Sequence, residues 1–457
     1  MHSVHVIRRR FFMVESLYPP VPRSQSDLRH LPGERGLPVL GQTLSFVFRM
    51  DEMPRRLWER YGPVSRGHVL FEPVVNMLGP DANQFVLADR AGNFSAYGGW
   101  EPIIGRLFPR GLMLRDGEDH RAHRRIMQTV FRKETLAEDL ALMQPVIRQH
   151  VEAWPEELAF YPAIKSLTLE IAAAIFLGLP LGREAREINA AFVDVVEASM
   201  AIIKAPLPGT LLRRGLIGRR RLERFFREHL PAKRAAETPD LFSRLCHARS
   251  EDGERFSDAE VVDHLVFVMM AAHDTTTSAL SSMAYLLARH PDWQASLYDE
   301  VSSVSAPLAH EDLDRLEQTA AVLREALRLY PPLPAMRRRT LRDCEFEGFH
   351  LPADTPINIF NHFTHHMPEY WDEPERFDPT RFQRQEHRRH PFQFIPFGAG
   401  AHTCIGLHFA ELQVKAVMQA LLRQRRLTVE PGYHMPCQVS PISKPRDGLP
   451  LQLIRRG

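Results

Sequence analysis

The sequence predicts a mainly α protein with a small β component. Three observations carry that prediction. Apolar residues recur at helical spacing from Asp51 to about Leu329. After Tyr330 the chain turns rich in Pro, Phe, Arg and His, with short alternating runs such as Cys344 to Leu351 that read as strands. One capped apolar run is also long enough to cross a large domain. Composition agrees: of 457 residues, 44% are apolar and 25% charged, which excludes a disordered, collagenous or membrane-embedded chain. The 58 Lys+Arg against 56 Asp+Glu leave a net charge of +2, and a dedicated nucleic-acid binder would be more basic. The 4 cysteines are too few and too scattered for a disulfide framework, which points to a reducing, cytoplasmic compartment.

Taken in order, the chain opens on Arg8, Arg9 and Arg10 followed by Phe11, Phe12, Met13 and Val14. Glu15 stops this run short of a signal peptide, so residues 1–30 read as a poorly ordered leader and residues 31–457 as a single domain. Residues 18–41 carry many Pro and Gly and should run extended over a surface. No window approaches 18 consecutive apolar residues, so no integral membrane anchor is expected.

Ser257 and Glu260 form a capping-box signature directly before Val261, Leu265, Val266, Val268, Met269 and Ala272, which recur at helical spacing. The next proline is Pro291, so the helix has room for about 32 residues, or roughly 48 Å. Its middle reads AAHDTTTS, from Ala271 to Ser278. Such residues are poor in helix interiors because their side chains compete for backbone hydrogen bonds. A solvent-facing stripe would recur every three or four residues. This block is contiguous, so some of it must point inward, toward a wet or reactive cavity.

Near the C-terminus stands PFGAGAHTCIG, residues 396–406, and a helical pattern begins at Leu407. Cys404 therefore sits where a Gly-rich loop meets a helix N-terminus, where backbone N–H groups favour an anionic thiolate. The glycines let a bulky partner approach closely. Structural zinc wants four ligands in paired spacings, and no second cysteine lies near, although His402 and His408 flank the thiol. A nucleophilic cysteine with a histidine base stays open at this point.

The stretch at 397–406 resembles the haem-binding pattern of the cytochrome P450 family, F-x-x-G-x-R/H-x-C-x-G, at every defined position. AAHDTT is similar to that family's oxygen-activation segment, with Ala272 where glycine is usual. EALR supplies the pair Glu325 and Arg328, and YPPLP follows. WDEPERFDPTRF is similar to the segment carrying a second structural arginine; in that register the matching residue is Arg381, whereas Arg376 of the literal PERF is an ordinary exposed residue. These likenesses run in order from about Pro32 to Arg455.

The resemblance implies a fold that holds haem b between a long distal helix and a proximal Cys-loop helix. Cys404 would be the iron ligand, with Phe397 shielding the sulfur and Gly406 completing the loop. Asp274 and Thr275 would be the acid–alcohol pair that delivers protons for O–O cleavage, although a plain ion pair for Asp274 stays open. Ala271 would leave room for dioxygen. His120 and Arg124, at i,i+4, would meet the propionates together with His402 and Arg338, with Arg337 and Arg339 as neighbours in register. Glu325, Arg328 and Arg381 would form a buried two-to-one charge cluster of structural role. Phe94, Tyr97, Trp100, Met270, Leu333 and Met336 would line a hydrophobic pocket.

By the same resemblance the chain is a monomeric monooxygenase acting on a terpenoid-, steroid- or fatty-acid-like small molecule with O2. Electrons would come from NAD(P)H through a ferredoxin- or flavodoxin-type donor. Arg121, Arg125, Arg132 and Lys133, with Arg384, His387, Arg388, Arg389 and His390, would offer that donor a basic face. A hydrogen-peroxide-driven peroxygenase and a non-catalytic haem sensor or carrier are the rival readings.

Overall fold

The computed structural model describes residues 20–456 apart from Val39, Leu70, Pro180, Leu181, Met200 and residues 202–204. The basic stretch from Arg8 to Val14 lies outside the described residues. The chain forms two compact units. Of the described residues, the first holds 20–23, 95–130 and 172–271; the second holds 24–94, 131–171 and 272–456.

The first unit is built from helices. Arg183–Ser199 lies against Leu211–Ala235. Their approach is set by Gly215, where a Cβ would come within 2.2 Å of the Ala198 Cβ. The Leu211–Ala235 helix is tied to the start of the long helix by Arg219, whose Nη2 donates to Asp263 Oδ1 at 2.7 Å. Arg110 also reaches Asp263, so this buried carboxylate is doubly paired. Burial pushes the Asp263 carboxyl up while both arginines pull it back.

The second unit carries the β structure. Val64–Val69 and Glu72–Met77 form a hairpin, Val64 opposite Met77. Pro356–Ile359 joins it in parallel, and Met336–Thr340 adds antiparallel to that strand. Gly62 at φ +76 and Pro63 end the preceding helix and hand the chain to this hairpin. Val64, Val75, Met77, Ile357, Ile359 and Ile395 share one core with Leu28 and Leu31. The folded body therefore begins before residue 31. Cys344–Phe346 and Phe349–Leu351 form the small hairpin that their alternation predicts. A three-stranded sheet orders Glu157–Ala159, Pro450–Arg455 and Arg425–Thr428.

The long helix runs Asp258–Arg289, and Pro291 opens the next. Its capping box is formed: the Ser257 N–H donates to Glu260 Oε2 at 2.8 Å, and the Glu260 N–H to Ser257 Oγ at 3.4 Å. One stretch, Phe160–Leu177, is long and apolar enough to cross a membrane by length and composition, and 56% of it is buried within the protein. A search for unbroken apolar runs passes over it because Lys165, Ser166, Thr168 and Glu170 interrupt the pattern.

Candidate functional site

The cysteine loop is a closed backbone structure. The Cys404 N–H donates to the Phe397 carbonyl at 2.8 Å, and the Gly398 N–H to the Ile395 carbonyl at 3.0 Å. Gly398 and Gly400 adopt φ +69 and +67. At Gly400 a Cβ would lie 1.9 Å from the Leu87 carbonyl oxygen, so the loop rests directly on the last turn of helix Pro80–Ala88. Gly400→Ala combines left-handed strain with a clash against fixed backbone, and is expected to lower the unfolding free energy by about 2–3 kcal/mol. A urea unfolding midpoint unchanged from wild type would contradict this packing.

Cys404 is exposed, in contrast to Cys246, which is buried and whose thiol burial pushes up to about 11. A Cβ built at Gly406 would meet the Cys404 Sγ at 4.0 Å, so the backbone follows the sulfur closely before helix Leu407–Gln424 begins. Phe397, Thr275, Thr276, Ala279, Leu323, Leu327, Ala410 and Val414 line a single cavity. The cysteine loop and the polar centre of the long helix thus face one space.

Along that helix Val261 to Met269 and His273 to Ala288 are buried apart from Thr275, whereas Met270, Ala271, Ala272 and Thr275 are partly or fully accessible. Within the polar block some groups bond inward, while the buried Ser278 Oγ finds no partner among the described residues. Thr277 Oγ1 donates to the His273 carbonyl at 2.9 Å and lies 2.7 Å from Thr168 Oγ1; Ser281 Oγ donates to the Thr277 carbonyl. Asp274 is 8% exposed, 3.5 Å from Lys165 Nζ and 3.1 Å from His273 Nδ1. Burial alone would raise its carboxyl, but His273 and Lys165 outweigh burial and hold it at about 2. Asp274 is therefore ionised across the neutral range. Tyr161, pushed up by burial and by Asp274, keeps its phenol proton. Lys165, 27% exposed, is the cation that connects this carboxylate with the surface, and nothing in the local sequence pairs the two.

Strand alternation separates the three consecutive arginines. Arg337 and Arg339 both reach Glu72, and Arg339 Nε donates to Asp354 at 2.7 Å. Arg338, buried between them, turns to the other face, where its Nη1 donates to the Arg337 carbonyl at 2.8 Å. His402 is half-buried inside the cysteine loop. In the first unit His120 and Arg124 share a face of helix Gly117–Val130, the histidine buried and the arginine half-buried. His123 on the same helix lies 2.8 Å from His264, a buried contact between histidines that the sequence does not announce.

Glu325 and Arg328 are both fully buried, with Arg328 Nε donating at 2.7 Å. Arg381 adds its Nε to Glu325 at 3.3 Å, while Arg376 is exposed against Glu373. The expected two-to-one cluster needs correction: Glu386 also lies 3.2 Å from Arg381, giving two arginines and two carboxylates. The remaining guanidinium hydrogens go to carbonyls of His365, Pro374, Asp372, Glu373 and Arg376. Arg328 also stacks on the buried Trp371 ring, 5.2 Å from its centroid.

Among the expected pocket residues, Phe94 stands in the short strand Phe94–Ser95 and is buried with the sheet core, edge-on to Phe85 at 5.4 Å. Tyr97, Trp100, Met270, Leu333 and Met336 are half-buried. Met336 reaches the loop, its Sδ 3.6 Å from where a Gly398 Cβ would stand. The basic run is weaker than its sequence implies. Arg384 pairs with Asp378 and Glu386, Arg389 with Asp372 and His390 with Asp81. Arg121, Arg125, Arg132 and Arg388 are exposed, although Arg121 is paired with Glu118.

A glycine-cradled loop with an accessible thiol, whose Phe397 lines one cavity with a threonine of an otherwise buried helix, fits a haem held by a thiolate. Arg338 and His402 in the same unit are basic side chains of the kind its propionates need. This is the class of site the residues define. The cytochrome P450 family profile matches residues 31–449. Cytochrome P450 136 of Mycobacterium tuberculosis is 39% identical over 99% of this chain and 94% of its own. The taxane 10-beta-hydroxylase of Taxus cuspidata is 25% identical, covering 85% of this chain and 82% of its own. The solved structure of retinoic-acid-bound cyanobacterial CYP120A1 matches with a TM-score of 0.85 at 29% identity, over 93% of this chain and 99% of that one. The chain belongs to the cytochrome P450 family, whose members are monooxygenases that use haem, dioxygen and a redox partner.

Proposed function

We propose that this chain hydroxylates or epoxidises a hydrophobic, isoprenoid-type small molecule, with electrons delivered from NAD(P)H by a separate ferredoxin- or flavodoxin-type protein. The observation that carries this reading is the shared cavity between Phe397 of the cysteine loop and Thr275 of the long helix. When bound, haem b supplies the reductive activation of dioxygen and the oxygen transfer. Cys404 would be the protein ligand to its iron, with the Gly406 backbone passing close to that sulfur. Phe397 would shield one side of the sulfur. Arg338 and His402 of the second unit would neutralise propionates, a role that His120 and Arg124 of the first unit also suit chemically; Ala271 carries a small side chain that would leave room beside its helix.

Thr275 holds a proton at its hydroxyl, facing the cavity. Asp274, kept anionic by His273 and Lys165, is a proton acceptor rather than a donor at rest. Protons therefore enter from solvent at Lys165, pass to the Asp274 carboxylate and are handed to the Thr275 hydroxyl. A peroxide-driven enzyme has no need of this relay, and a haem carrier has no need of Thr275.

The substrate class is supported by two relatives: one is named for taxane hydroxylation, and the other was solved with retinoic acid. Leu333 and Met336 of the second unit, and Tyr97, Trp100 and Met270 of the first, are half-buried apolar side chains of the kind such a substrate needs. The exposed Arg125, Arg132 and Arg388 favour an acidic electron donor. A family match running through both units supports residues 31–457 as one catalytic domain, and the scattered cysteines support a cytoplasmic setting.

A spectral titration of the ferric protein with terpenoids, steroids and fatty acids tests this assignment. An isoprenoid is expected to shift the spin state and to raise NADPH consumption with a surrogate ferredoxin system. Turnover sustained by hydrogen peroxide, with none from the reduced donor, would favour the peroxygenase instead.

A further inference from the structure

We propose that His365 is a positioning residue of the cysteine loop, its ring nitrogen Nε2 accepting the Ile395 backbone N–H and so fixing where the loop leaves the core. The inference rests on Cys404 being the iron ligand. His365 directly follows the short helix Asn361–Thr364 and is fully buried. The Ile395 nitrogen stands 3.0 Å from its Nε2. A backbone N–H can only donate, so Nε2 must carry the lone pair and the neutral ring must hold its proton on Nδ1. Burial first, and the nearby Arg328 guanidinium second, push this imidazole down to about 3, so the acceptor persists throughout the working range.

The same residue is held from its other end. Its carbonyl accepts Arg328 Nη1 at 2.9 Å. Four bonds then run in sequence from the buried charge cluster to the thiol: Arg328 to the His365 carbonyl, the Ile395 N–H to the His365 ring, the Gly398 N–H to the Ile395 carbonyl, and the Cys404 N–H to the Phe397 carbonyl. Ile395 is itself 3% exposed, so water cannot replace the ring as acceptor. This gives the Glu325–Arg328–Arg381–Glu386 cluster a hydrogen-bonded route to the site. The His365 ring also packs 5.3 Å from Phe394, a contact that a phenyl ring would keep.

The test compares the holoenzyme with His365→Phe, which keeps the ring but has no acceptor, and His365→Gln, whose Oε1 can take the Nε2 position. Two readouts are followed: amide hydrogen exchange at Ile395, and the rate at which the reduced carbon monoxide complex loses its red-shifted Soret band in mild urea. The phenylalanine variant is expected to accelerate both by about tenfold, the scale of one lost buried hydrogen bond, and glutamine to restore both to within about threefold of wild type. Wild-type exchange and band lifetime in the phenylalanine variant would overturn the proposal. Should that variant fail to accumulate, glutamine decides: a protected Ile395 amide supports it, and a freely exchanging one beside a stable band overturns it. Failure of the Cys404 assignment would look different, because the wild type itself would then lack the red-shifted band.

Discussion

Replacing Glu325 by glutamine is expected to lower the unfolding free energy by about 3–5 kcal/mol, because it leaves two buried guanidinium groups with one carboxylate, Glu386, between them. That is a large share of the roughly 5–15 kcal/mol that holds a domain folded. The variant should appear mainly as insoluble or haem-free protein, and its soluble fraction should unfold at markedly lower urea. Arg376→Ala is the matched control. Its side chain is exposed against Glu373, so it should move stability by no more than about 0.5 kcal/mol. If both variants unfold like the wild type, the buried cluster does not hold this part of the fold.

The second large effect falls on turnover. Asp274→Asn preserves shape but cannot accept a proton from Lys165, and product formation should fall by about 10²–10³-fold. NADPH consumption should fall less, because oxygen reduced without proton delivery escapes as unproductive species. Lys165→Met should shift the pH dependence of the same step while leaving substrate-induced spin-state changes intact. Equal losses in product and NADPH consumption would contradict the relay.

Asp274 also has a stability signature. Its folded-state carboxyl is held below the ordinary value, from 3.8 to about 2. The ionised form thus stabilises the native state by roughly 2 kcal/mol, fully above about pH 5 and progressively less as pH falls through the folded value. Asparagine has no such contribution, so the wild-type and variant unfolding curves should converge in acid.

What the sequence disclosed was local. The capping box at Ser257 and Glu260, the span to Pro291 and the glycine loop around Cys404 each depend on residues close in the chain, so their spacing alone specifies the geometry. Glu325 and Arg328 lie three apart on one helix and were equally legible. Glu386 was not, because it enters the cluster from a short turn whose own sequence reads as a charged surface run. Lys165 and His365 were hidden for the same reason: each meets its partner across the fold, and neither stands in a pattern that names one. The hairpin at Val64–Val69 and Glu72–Met77 was masked by a run read as predominantly helical, although Gly62 and Pro63 mark the break. Phe94 packs edge-on to Phe85 in a two-residue strand, Phe94–Ser95, a placement that its aromatic character alone does not announce.

Every proposed role in this chain's site depends on sulfur from Cys404 binding iron. The decisive measurement is the Soret spectrum of the reduced, carbon-monoxide-treated holoenzyme, taken for the wild type and for Cys404→Ser. A red-shifted band in the wild type that disappears in the serine variant is the predicted result. Its absence from haem-loaded wild type, or its survival in the serine variant, would contradict the account.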